Sequence, residues 1–183
     1  MAPRKIIIDT DPGQDDAVAI LLALASPVEL DVIGITCVAG NVPLHLTTLN
    51  ARKVCELAGR PDISIFAGCD RPLGRDLVTA EHVHGKTGLD GPTLPEPRMT
   101  LQAQHAIDFL IETLRVEPPG TVTICPLGPL TNIAMAFEKA PDIISRVQEI
   151  VLMGGAWMMV RASSASGPEV PTAEVTRGDY VDI

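Results

Sequence analysis

A chain of 183 residues, 46% of them apolar, is long enough for one domain with a sizeable core and too apolar to be disordered. A net charge of −9, no basic run, one Trp and one Tyr exclude the cationic, aromatic footprint of a nucleic-acid binder and argue against an anionic membrane surface. The longest apolar run, residues 17–25, is too short to cross a bilayer.

The N-terminus leads straight into an apolar segment, so no signal peptide and a cytoplasmic location are expected. Cys37, Cys55, Cys69 and Cys125 form no C-x-x-C pair and read as reduced, mostly buried thiols. In chain order, residues 6–9 (Ile-Ile-Ile-Asp) read as a buried strand, and Pro12-Gly13 forces a turn. A helix over 15–25 follows, then a strand over 30–37 and a helix over 44–58 ended by Gly59. In that helix Leu46, Leu49, Val54 and Leu57 suit one broad apolar face. A short strand over 63–67 precedes a long Gly- and Pro-rich loop, 68–99, which carries His82 and His84. A helix over 101–115 buries Ile107, Leu110, Ile111 and Leu114 and is broken by Pro118-Pro119-Gly120. A strand over 121–125 passes through Pro126-Leu127-Gly128-Pro129 to a helix over 131–138, with Thr131 as N-cap. A short helical piece after Pro141 and a strand over 149–153, ending at Gly154-Gly155, complete the regular part.

Strands and helices alternating at this spacing imply right-handed β-α-β units: an α/β fold with a mostly parallel central sheet and helices on both faces. Ligands of such open sheets gather at the carboxyl ends of the strands, and the unusual residues of this sequence fall there. Residues 1–160 read as one α/β domain. Residues 161–183, rich in Ser, Ala, Pro and Glu, read as a divergent loop or disordered tail. No G-x-G-x-x-G or P-loop pattern is present.

Asp9, Asp11, Asp15 and Asp16 crowd one strand-to-helix turn. Each alone is what a helix start or turn asks for. Four together exceed what capping needs, and in a partly desolvated cleft they either hold protons or surround a cation. Hard oxygen donors without His or Cys point to Ca²⁺ or Mg²⁺ rather than zinc. His45 and His105 read as ordinary helix residues, and Asn41 alone reads equally as a turn residue.

Residues 9–17, Asp-Thr-Asp-Pro-Gly-Gln-Asp-Asp-Ala, resemble the D-x-D-P-G-x-D-D signature of the inosine–uridine preferring nucleoside hydrolases. Val38-Ala39-Gly40-Asn41, Ala67 through Leu73, His82-Val83-His84-Gly85, Leu127 through Asn132 and Val151 through Gly155 resemble further family segments, in family order. The resemblance implies hydrolysis of the N-glycosidic bond of ribonucleosides to ribose and free base, with Ca²⁺ as cofactor. It implies that Asp11 ligates calcium and acts as general base on a metal-bound water. Asp16 and the carbonyl of Leu127 would be further ligands, Asp15 and Asn41 would hold ribose, and His84 would face the leaving base. The partner implied is a small-molecule ribonucleoside, with no nucleic acid or membrane, and assembly as a homo-oligomer (dimer or tetramer). Family chains are longer and carry a later Ala-Glu-Phe-Asn segment and a His-Asp pair. Here only residues 171–176, with Glu174, echo the former, so the chain reads as the N-terminal part of such an enzyme.

Two other readings attach to the same residues. Ile8-Asp9-Thr10-Asp11 also resembles the D-x-D strand end of haloacid-dehalogenase-like, Mg²⁺-dependent phosphatases, with Asp9 as nucleophile. A truncated, inactive hydrolase fragment is the non-enzyme alternative.

Overall fold

The computed structural model describes residues 2–91 and 93–152. The expected Gly154-Gly155 turn, Glu174 and the 161–183 tail lie outside these residues. Five strands, β1 (Arg4–Thr10), β2 (Leu30–Cys37), β3 (Ile65–Ala67), β4 (Val122–Pro126) and β5 (Val147–Ile150), form one sheet in the order β3-β2-β1-β4-β5. Every pairing is parallel. The helices are α1 (Gln14–Leu24), α2 (Leu44–Leu57), α3 (Glu81–His84), α4 (Ala106–Val116) and α5 (Thr131–Lys139), with a 3-10 turn at Pro141–Arg146.

The alternation of β1 sorts the core. Ile6 and Ile8 point to one face, packing with Ile20 and Leu24 of α1 and with Ala51, Val54 and Cys55 of α2. Ile7 points to the other, among Leu110, Ile111 and Leu114 of α4 and Ile133 of α5. Helices therefore cover both faces, as the β-α-β reading requires. In β2, Gly34 leaves room for Phe109, whose ring stacks on Phe66 with centroids 3.8 Å apart; a Cβ at Gly34 would stand 2.5 Å from the Phe109 ring.

Some local expectations are corrected. The buried face of α2 is Thr47, Asn50, Ala51, Val54 and Cys55, while Leu57 is exposed. Of the expected stripe Val54 is fully buried and Leu46 and Leu49 partly so, while Asn50 is needed inside as a tether. Helix α4 starts at Ala106, because His105 caps it: its Nδ1 accepts the N–H of Ile107 at 3.2 Å. Thr131 does not cap α5; Leu130 occupies the N-cap position, and the Thr131 hydroxyl is buried without a partner. Strand β5 is Val147–Ile150, and Gly59 (φ 70°) ends α2 in the left-handed region, as a C-terminal glycine does.

Strands β2 and β3 lie on one side of β1, and β4 and β5 on the other. The chain therefore reverses direction of travel across the sheet beside β1. Crevices in open parallel sheets form at such a switch point, beyond the carboxyl ends of the strands. An apolar groove of about 440 Å³ lies between α5, Ile144, Ile150 and Leu152, and none of the four acids lines it. No helix among the described residues is long and apolar enough to cross a membrane.

Candidate active site and metal centre

The turn after β1 is held by backbone from both sides. Asp11 is 3% exposed. The backbone N–H of Asn41, after β2, donates to Asp11 Oδ2 at 2.7 Å, and Asn41 Nδ2 donates to the Asp11 carbonyl at 3.0 Å. Gly40 and Gly128 close on the same carboxylate: a Cβ would stand 2.1 Å from Asp11 Oδ2 at Gly40 and 2.2 Å from Oδ1 at Gly128. The turns after β2 and β4 thus form a cradle of bare backbone for Asp11. Leu127, beside Gly128, donates its N–H to the Asp9 carbonyl at 2.7 Å, which fixes that turn against β1.

Asp16, in the first turn of α1, is 4% exposed. It accepts the Thr10 hydroxyl at 2.7 Å and the N–H of Gly13 at 3.2 Å. The second contact is the return half of a capping arrangement, so the capping reading holds for Asp16 alongside any other role. Asp15 is exposed in the same turn. His84 ends α3, half-buried, its ring lying where a side chain on Gly13 would be. The structure thus brings Asp11, Asp16, Asn41, His84 and the Leu127 turn together around one strand end, with Asp15 at the rim. His82 and His45 are exposed and apart from these contacts.

Burial and mutual repulsion set the electrostatics. Burial raises the Asp11 carboxyl well above its ordinary value near 3.8, and the Asp16 charge raises it further. Burial likewise raises Asp16. Asp9 lies beneath them with no exposed surface, and burial pushes it up to about 7, against hydrogen bonds from Asn132 and Thr36 that lower it. The thiols are pushed up by burial as well, Cys55 to about 12 and Cys69 to about 11, so neither offers a thiolate at neutral pH.

These shifts predict a pH dependence. Carboxyls raised in the fold keep protons that the unfolded chain has released. Metal-free stability should therefore fall as pH climbs from about 4 through about 7. Asp9 alone accounts for on the order of 4 kcal/mol, from its rise from 3.8 to about 7. If Asp11 and Asp16 take a cation, calcium added at about pH 8 should restore stability, because a bound cation would replace their protons. Thermal melts at low and high pH, with EDTA and with calcium, read both effects. A melt that rises steadily to pH 8 in EDTA would contradict the assignment.

The donor set tests the metal reading. Asp11 and Asp16 offer hard carboxylate oxygens, each raised by burial and with the Asp16 charge acting on Asp11. Gly40 and Gly128 pack directly on the Asp11 carboxylate, where any Cβ would collide with its oxygens. Among the described residues no group of three or more His, Cys, Asp or Glu side chains is placed to hold a metal. The remaining oxygens would come from backbone carbonyls, water and ligand. The phosphatase reading fails on Asp9. A nucleophile must reach substrate, and Asp9 is sealed under the sheet edge and tied to Thr36 and Asn132.

Sequence reasoning missed the residues that build the site from below. Asn132 Nδ2 donates to Asp9 Oδ1 at 2.8 Å and to the Cys37 carbonyl at 3.1 Å, and its Oδ1 accepts the N–H of Cys69 at 2.8 Å. One side chain thus ties α5 to the ends of β1 and β2 and to the loop after β3. Asn50 does the same for the Asp11–Gly13 turn, donating to the carbonyls of Pro12 (3.1 Å) and Thr87 (2.8 Å). Asn132 closes the family-like segment 127–132, which gave no role for it; for Asn50 the only available signal was an Asn placed where a helix buries its face.

Comparison with known proteins points to one family. Residues 6–175 match the family model described as inosine-uridine preferring nucleoside hydrolase. The chain is 56% identical over 178 residues to an uncharacterised protein of Schizosaccharomyces pombe, covering 97% of this chain and 54% of that one. It is 45% identical over 165 residues to the inosine-uridine preferring nucleoside hydrolase of Crithidia fasciculata, covering 90% of this chain and 52% of the relative. Among solved structures, a plant nucleoside hydrolase superposes with a TM-score of 0.76 at 44% identity, covering 84% of this chain and 48% of that one. The chain spans about half the length of the relatives it matches.

Proposed function

The chain belongs to the inosine-uridine preferring nucleoside hydrolase family, and from that membership we propose that its acid-rich turn cleaves the N-glycosidic bond of a ribonucleoside. The observation that carries this reading is the cradle around Asp11: a buried carboxylate gripped by Asn41, walled by Gly40 and Gly128, and set beside Asp16 at the switch point of the sheet.

In this reading Asp11, Asp16 and the carbonyl of Leu127 would hold calcium, which would supply polarisation of water and of ribose hydroxyls. Asp11 takes the proton from that water as its oxygen bonds to C1′ of the ribose. The C1′–N bond breaks, its electron pair leaves with the base, and the sugar passes through a cationic, oxocarbenium-like state. Two neighbouring carboxylates suit that positive charge. His84 stands on the side of the leaving base and meets the charge that develops there. Asn41 and Asp15 position the ribose. Cytoplasmic location and assembly as a dimer or tetramer belong to the same reading. The alternative is that the chain by itself is an inactive hydrolase fragment.

The test is ribose release from inosine and from uridine by the purified chain, with calcium and again with EDTA. Release that EDTA removes supports the proposal. A folded chain that binds calcium but releases no ribose supports the fragment reading.

A further inference from the structure

Gln14 opens α1, His84 closes α3, and the two side chains form a closed pair. Gln14 Nε2 donates to the backbone carbonyl of His84 at 3.1 Å, and Gln14 Oε1 lies 2.5 Å from His84 Nδ1. The logic of this pair is directional. A carbonyl oxygen only accepts, so the amide must turn its NH₂ group toward it. That fixes the amide oxygen against Nδ1. Two lone pairs do not approach to 2.5 Å without a proton between them, so Nδ1 carries hydrogen. Turning the ring over would set a C–H against the oxygen instead. The ring lies directly over the glycine of the acid-rich turn: a Cβ at Gly13 would be 2.6 Å from Nδ1.

We infer that Gln14 is a positioning residue that locks His84 in its Nδ1–H tautomer and ring orientation, leaving Nε2 as the nitrogen offered to a ligand. Nε2 makes no hydrogen bond to the protein among the described residues. A neutral ring so held presents a lone pair at Nε2, which accepts a hydrogen bond from a ligand N–H or hydroxyl; the cationic ring donates there instead. Gln14 Oε1 accepts from Nδ1–H in both states, so the clasp survives a proton passing through Nε2. The use of Nε2 toward a leaving base rests on the hydrolase reading above. The tautomer itself does not.

Long-range ¹H–¹⁵N correlation spectra of the histidine-labelled chain test the inference at about pH 8.5, where an ordinary imidazole is neutral. His84→Asn identifies the His84 signals. The expected pattern is a protonated Nδ1 and an unprotonated Nε2 in the wild type. In Gln14→Met, and in Gln14→Asn, which is too short to span the pair, the Nδ1–H form should become the minority. Gln14 is exposed, and unchanged circular dichroism shows that both variants fold. A wild-type pattern of Nε2–H, an average of the two forms, or no change on replacing Gln14 overturns the inference. Ribose release on the same samples separates the two readings. The tautomer pattern without release removes the hydrolase reading alone, and release without the pattern removes this inference alone.

Discussion

Replacing Asp11 with Asn should reduce calcium-dependent ribose release by about a thousandfold or more, while leaving the metal-free chain at least as stable as the wild type. The loss combines a general base, worth on the order of 10² to 10⁴ in rate, with one of two carboxylate ligands. The stability follows from the opposite side of the same physics. Asp11 is buried, and its charge is disfavoured by burial and by Asp16. A neutral amide of equal shape removes that repulsion and still offers an oxygen to the N–H of Asn41. Calcium should then no longer raise the melting temperature. Ribose assays and melts with and without calcium read all three effects. Undiminished release, or an undiminished calcium shift, would take Asp11 out of the proposed role.

Replacing Asn132 with Leu should cost roughly 4 kcal/mol or more, a large part of the stability of an ordinary domain. The side chain is fully buried and all its polar groups are engaged. A leucine of similar volume would leave the Cys69 N–H and the Cys37 carbonyl without this partner and would strip one donor from Asp9. Each such group in the interior costs about 1–3 kcal/mol. Because the amide joins three strand ends and α5, its loss should also loosen the turns that wrap Asp11. Calcium affinity should therefore fall along with the denaturation midpoint. Urea unfolding and calcium titration measure the two. A midpoint shift below about 1 kcal/mol would show that water or a neighbour satisfies these groups equally well.

Most of the fold was legible in the sequence, because the signals were local. The apolar run before Asp9, the Val- and Ile-rich stretch at 30–37, and the stripe Ile107, Leu110, Ile111 and Leu114 each report which face is buried. Alternation of strand and helix then leaves few topologies, and β2 came out with the very bounds its composition implied. Helix ends were less legible. His105 caps α4, and Leu130 rather than Thr131 occupies the cap of α5, because a cap depends on how the chain enters the helix.

The sequence by itself determined the α/β architecture, the crowding of acids at one strand end, and the family, because each depends on residues close together in the chain or on motifs in fixed order. Only the tertiary structure decided where each acid lies and what holds it. Asp9, Asp11, Asp15 and Asp16 look alike in a string of letters. In the fold Asp9 is sealed against Asn132, 123 positions away, Asp11 lies in a cradle made by the turns after β2 and β4, Asp16 is tied to Thr10 and Gly13, and Asp15 is left in water. The physical reason is that burial and long-range hydrogen bonds set the charge state and reach of a carboxylate, and neither is a property of its neighbours in sequence. The same holds for His84, whose Nδ1 meets the amide oxygen of Gln14 across 70 positions of chain.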